Sequence, residues 1–133
     1  MKTIQMNYND LNVEINLRKR ITLLRDYSGT GKTFLFNILL SYFQDKEIKA
    51  KLFNYLDIDT TLDEFKLGIR GREFILMDCA DLYMNKELWS MIEKSDCYFI
   101  ISIKGISEIR FTDEVDNCLV LFDNDSIRLE RFI

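Results

Sequence analysis

Two stretches of this chain carry apolar side chains without alternation: Phe74-Ile75-Leu76-Met77, and Tyr98 to Ile103, broken only by Ser102. A strand with one wet face alternates, so unbroken runs predict central strands covered on both faces, as in parallel α/β sheets. The cover has to come from helices. Lys32 to Gln44 is apolar from Phe34 onward except for a narrow stripe of Asn37, Ser41 and Gln44, the pattern of a helix enclosed on most sides. Thr61-Leu62-Asp63-Glu64 has the form of a capping box and opens a short helix ending near Gly68. Lys86 to Lys94 places Leu88, Trp89 and Ile92 at helical spacing, as core packing. Ile21 to Leu24 and Lys51 to Leu56 read as further strands, and strands alternating with helices imply right-handed βαβ units. At the start, Leu11, Val13, Ile15 and Leu17 alternate with polar residues, and Lys2 to Met6 can pair antiparallel with them across residues 7–10. At the end, Cys118 to Phe122 and Ile127 to Ile133 flank Asp123-Asn124-Asp125 as a hairpin. A length of 133 residues, 47% of them hydrophobic, suits one domain with one sizeable core.

Charge and residue usage narrow the chemistry. Eighteen Lys and Arg against 22 Asp and Glu give a net charge of −4, without a run of like charges long enough to form a tail, which argues against a nucleic-acid partner. The short cluster Arg18-Lys19-Arg20 is read as a solvated connection between strands. Histidine is absent, which removes imidazole as general base or ligand, so a metal here would be held by oxygen. Cys79, Cys97 and Cys118 are too far apart for a zinc or redox motif and read as reduced, mostly buried thiols. There is no signal-peptide layout and no run of roughly 18 apolar residues. The expectation is a cytoplasmic protein without a membrane partner.

Between the strand Ile21–Leu24 and the helix from Lys32 lies Ser28-Gly29-Thr30-Gly31-Lys32-Thr33. Two glycines permit a path in which successive backbone N–H groups turn inward as an anion nest, ahead of the positive end of a helix. Lys32 would reach the β- and γ-phosphates of a nucleotide, and the Thr33 hydroxyl is a hard oxygen ligand for Mg²⁺.

These residues resemble the P-loop NTPase superfamily, and Leu24 to Thr33 is most similar to the phosphate loop of AAA-type and related ATPases. The resemblance implies a three-layer α/β fold with a mostly parallel central sheet, here with an N-terminal antiparallel pair and a C-terminal hairpin. It also implies ATP or another NTP with Mg²⁺, with Ser28, Gly29, Thr30, Gly31, Lys32, Thr33 and Ser102 as nucleotide-binding residues. Phe74 to Asp78 looks like a Walker B motif, making Thr33 and Asp78 the metal ligands. Lys32, Asp78 and Asp81 are the candidate catalytic residues. Two positions depart from the pattern. Asp26 stands where the first glycine belongs: turned toward Arg25 or Lys32 it is neutralised, and turned toward nucleotide it repels phosphate. Cys79 stands where many of these ATPases carry the glutamate that polarises the attacking water, which a neutral thiol does not do. Asp81 either substitutes for that glutamate or caps the next helix. Ser102 resembles a sensor residue on the strand between the loop strand and the Walker B strand, with a core serine as its plain alternative. Lys104, Arg70, Arg72 and Arg110 are conceivable γ-phosphate contacts. ABC-like ATPases also carry strands ahead of the loop, but their Leu-Ser-Gly-Gly-Gln signature does not follow here. The expected function is a weak or partner-dependent ATPase acting as a nucleotide switch on a protein partner. The alternative is a degenerate fold that binds no nucleotide and serves as an interaction or inhibitor module. A small-molecule kinase ranks last, for want of a lid insertion.

Overall fold

The computed structural model describes residues 2–25, 32–104 and 114–131. Among them are eight strands in one sheet and three α-helices, a mixed α/β arrangement with a curled, partly parallel sheet. The strands are β1 Lys2–Tyr8, β2 Leu11–Leu17, β3 Ile21–Leu24, β4 Ala50–Phe53, β5 Phe74–Met77, β6 Tyr98–Ser102, β7 Val115–Phe122 and β8 Ser126–Arg131. The helices are α1 Lys32–Asp45, α2 Leu62–Ile69 and α3 Lys86–Lys94. Their order across the sheet is β1-β2-β8-β7-β3-β6-β5-β4. From β7 to β4 the neighbours run parallel, whereas β1–β2 and β7–β8 are antiparallel.

The unbroken apolar runs are buried on both sides, as their composition predicts. Ile21, Leu23, Ile75, Met77, Phe99 and Ile101 pack with α2 and α3. The alternate residues Leu24, Phe74, Leu76 and Ile100 pack with α1. Phe43 of α1 is fully buried and stacks on Phe74, with ring centroids 4.5 Å apart. Burial of a ring this size contributes roughly 1.5–3 kcal/mol. The sheet curls so that β1 and β2 add Ile4, Val13, Ile15 and Leu17 to this same cluster. The Tyr8 ring meets Phe34 of α1 edge-on, and the Lys2 ammonium reaches Glu73 at 2.9 Å beneath β5.

Local signals explain most of the boundaries. Asn9 and Asp10 take φ of 48° and 66° in the two-residue link between β1 and β2, the left-handed pair that a tight hairpin needs. The Thr61 hydroxyl accepts from the Glu64 N–H while the Glu64 carboxylate accepts from the Thr61 N–H, completing the expected capping box. The strand expected over Lys51 to Leu56 instead runs Ala50–Phe53. Asn54 ends it by accepting the Leu56 N–H and donating its own N–H to Asp57, which winds Tyr55–Asp57 into a 3-10 turn. Arg20 is not a solvated connection. Its guanidinium donates to the carbonyls of Cys97 and Glu93 and pairs with Glu114 at 2.8 Å. No helix among the described residues is long and apolar enough to cross a membrane.

Candidate functional site at the C-terminal edge of the parallel strands

In open α/β sheets, ligands bind beyond the carboxyl ends of the strands, and here that edge gathers buried polar side chains. β3 ends at Leu24, opposite Ser102 at the end of β6. One strand further, Met77 of β5 lies opposite Ile101, so Asp78 follows the sheet out beside Ser102. β6 thus lies between β3 and β5, the position expected of the strand that carries Ser102. Lys32 is 7% exposed, Asp78 5% and Ser102 5%. Charged groups this deep are stable only with partners.

Lys32 and Thr33 begin α1, whose first turn carries no acidic residue, unlike α2 with Asp63 and Glu64 or α3 with Glu87. Its positive end is therefore not neutralised from within its own first turn. The Thr33 hydroxyl donates to Asp78 Oδ2 at 2.7 Å. The other carboxylate oxygen of Asp78 faces the Cys79 thiol, with Sγ at 3.8 Å. Tyr83 holds the Asp78 backbone: its hydroxyl donates to the Asp78 carbonyl at 2.7 Å, with the Phe53 carbonyl at 3.3 Å. The Asp78 N–H donates to that same Phe53 carbonyl. Burial, reinforced by nearby carboxylates, raises the Tyr83 hydroxyl well above its usual range, so it stays a neutral donor.

The donor set fits Mg²⁺. Adjacent ligands of an octahedral Mg²⁺ at about 2.1 Å lie about 3.0 Å apart, close to the 2.7 Å between the Thr33 and Asp78 oxygens. Both are hard oxygens. No group of three or more Cys, Asp or Glu poised for a metal occurs among the described residues. A Mg²⁺ held by one carboxylate, one hydroxyl, waters and substrate phosphates does not need such a group.

Cys79 occupies the left-handed region, with φ 52° and ψ 43°, and is exposed. Partial desolvation of the sulfur first, and then the neighbouring Asp78 carboxylate, push its thiol above the ordinary range. It is therefore protonated at neutral pH and does not act as a base. The other two cysteines are buried and free. Asp81 caps no helix. Asn85 is the N-cap of α3, and the Asp81 carboxylate instead accepts the Lys104 N–H at 2.8 and 2.9 Å, tying the segment after β5 to the end of β6.

Ser28, Gly29, Thr30, Gly31 and Asp26 lie outside the described residues, as does Arg110. Arg70 and Arg72 line a cleft of about 690 Å³ at the opposite, N-terminal edge of the strands, which removes them from the γ-phosphate contacts considered. Lys104 is at the site edge. Of two further participants, sequence named one only as a possible partner for Asp26 and missed the other. Arg25, at the end of β3, has a buried Nε without a hydrogen-bond partner, and burial lowers its pKa against the pull of Asp81. Tyr83 is the other, and a tyrosine five residues after an aspartate carries no readable signal. No family model, curated protein or solved structure matches the chain.

Proposed function

We propose that this protein binds a nucleoside triphosphate, ATP or another, with Mg²⁺ at the C-terminal edge of β3, β5 and β6. On this reading it is a P-loop NTPase-type protein of three layers, α1 on one side of the sheet and α2 with α3 on the other. The observation that carries the proposal is the 2.7 Å contact between Thr33 and Asp78, residues 45 positions apart in sequence. A core needs no such contact, and the metal site expected from the sequence needs both groups together. Ser28, Gly29, Thr30, Gly31 and Lys32 would hold the phosphates, Thr33 and Asp78 the Mg²⁺, and Ser102 the region of the γ-phosphate. Bound there, Mg²⁺ supplies neutralisation of charge on the phosphates.

Turnover is slow or depends on a partner, because the position that would polarise water carries a protonated thiol. Asp81 is already engaged with the Lys104 backbone, which favours a positioning role for it over that of general base. A nucleotide held without rapid hydrolysis suits a switch, in which the bound state orders segments that a protein partner reads. The competing reading, an interaction module that binds no nucleotide, draws support from Cys79 but leaves the buried Lys32 and the Thr33–Asp78 contact without a use.

Isothermal titration of ATP with Mg²⁺ decides between them. Wild type is expected to bind and Lys32→Ala to lose the heat. Wild type giving no heat at millimolar ATP would overturn the nucleotide reading. A Cys79→Glu variant that releases phosphate steadily where wild type does not would locate the block to hydrolysis.

A further inference from the structure

The segment from the end of β4 through α2 presents Tyr55, Leu56, Ile58 and Leu67 to solvent, at 61, 74, 54 and 65% exposure. Single exposed apolar residues are ordinary, whereas a concentration of them marks an interaction surface. Half of the large exposed hydrophobics in the described residues lie on this one stretch. The turn is not loose. Asn54 bonds Leu56 and Asp57, and the Thr60 hydroxyl donates to the other Asp57 oxygen at 3.2 Å. The apolar tips are therefore held in place before any partner arrives, which lowers the ordering cost of binding. Around them the charge is acidic: Asp57, Asp59 and Asp63.

The chain runs from this knob into Leu62 at the start of α2, and there α2 and α3 enclose a groove of about 630 Å³. Leu62 and Met91, both partly buried, give it apolar walls, and Lys66, Lys86 and Lys94 rim it, with Glu87 as the acid among its lining. One patch of this surface thus holds an acid-rimmed apolar knob next to a lysine-rimmed apolar groove. Self-complementary halves side by side are what a two-fold interface requires, since each residue i that meets j is matched by j meeting i.

We propose that the occupant of this groove is a second copy of the chain: two molecules form a two-fold dimer in which the 55–59 knob of each seats between α2 and α3 of the other. Apolar insertion of Tyr55, Leu56 and Ile58 supplies affinity, and the opposed Asp and Lys rims set orientation and register. The proposal is independent of nucleotide binding, because none of these residues belongs to the site at Thr33 and Asp78.

Sedimentation equilibrium of the full chain, from micromolar to near-millimolar concentration, tests it. Wild type is expected to dimerise, less tightly at high salt. Leu56→Asp should weaken dimerisation by roughly 30-fold or more, as a central apolar anchor does. The deciding experiment uses two self-repelling variants, Lys66→Glu/Lys94→Glu and Asp59→Lys/Asp63→Lys, each checked for native circular dichroism. Separately each should stay monomeric, and mixed in equal amounts they should form a heterodimer. A monomeric wild type at every concentration overturns the proposal and leaves the patch to another partner. So does a dimer indifferent to Leu56→Asp, or a mixture that fails to associate.

Discussion

At the C-terminal edge of the parallel strands, Lys32 from the start of α1, Asp78 just after β5 and Ser102 from the end of β6 are all buried, and Thr33 next to Lys32 touches Asp78. At the N-terminal edge the charged groups are spread out and engaged in holding strands: Arg20 clamps the carbonyls of Cys97 and Glu93, and Lys2 pairs with Glu73 across the curl of the sheet. A cleft of about 690 Å³ nevertheless lies at this second edge, beside Arg70 and Arg72. A hollow and a convergence of buried polar groups therefore mark opposite ends of the same strands. Convergence is the better guide, because burying polar and charged groups costs free energy that a fold alone has no reason to concentrate in one place.

The sharpest way to break this contrast is to empty each edge in turn. Asp78→Ala should weaken binding of ATP with Mg²⁺ by about 100-fold, about 2.7 kcal/mol, in calorimetry. Arg72→Ala, an exposed change at the other edge, should alter it by no more than a factor of about two. Equal losses at both edges would end the distinction. The converse substitution, Arg20→Met, should lower stability by about 2 kcal/mol in urea unfolding, because two carbonyls lose a charged donor. Its ion pair with the largely exposed Glu114 adds little to that figure. Nucleotide affinity should not move.

A smaller loss is expected at Gly68, where an added Cβ would stand 2.8 Å from the Phe53 ring. Overpacking costs about 1–3 kcal/mol, while alanine gains about 1 kcal/mol over glycine within a helix. Gly68→Ala should therefore be destabilised by about 1 kcal/mol net by these two terms, and a more stable variant would show that the ring yields.

The smallest effect is one of reactivity. Because the Cys79 pKa is raised, the protonated thiol persists to higher pH than in an ordinary cysteine, so its alkylation at neutral pH should be slower than that of a free thiol and should climb with pH beyond the usual range. Asp78→Asn removes one of the causes and should quicken it. Cys118, pushed up to about 12 by burial and the adjacent Asp116, should react only on unfolding.

Much of the fold was legible because it rests on burial. The run at 74–77, the helix at 86–94 and the box at Thr61 stand where composition and capping placed them. The reading overshot at β4, because Leu56 continues an apolar run by letter, whereas Asn54 turns the chain and leaves Leu56 in solvent. It fell short at β7, where Asp116 and Asn117 just after the first residue look like loop. Asp116 is in fact buried, with Arg131 at 3.3 Å. In the candidate site, Thr33 and Asp78 were legible as a spaced motif, and their contact follows from the strand order. The partner of Asp81 was not legible, because it is a backbone N–H, and any residue type presents one.

The parallel pairing of β2 with β8 bears on how the molecule is made. Asn12 has Ser126 as its partner in the sheet, so the open edge of an early strand stays unpaired while the rest emerges from the ribosome. At about 5–20 residues per second that interval lasts roughly 6 to 23 seconds. Through that interval the nascent chain carries a half-apolar strand with one edge unpaired, which makes translation itself the stage at which this protein is most open to mispairing or to capture by a chaperone.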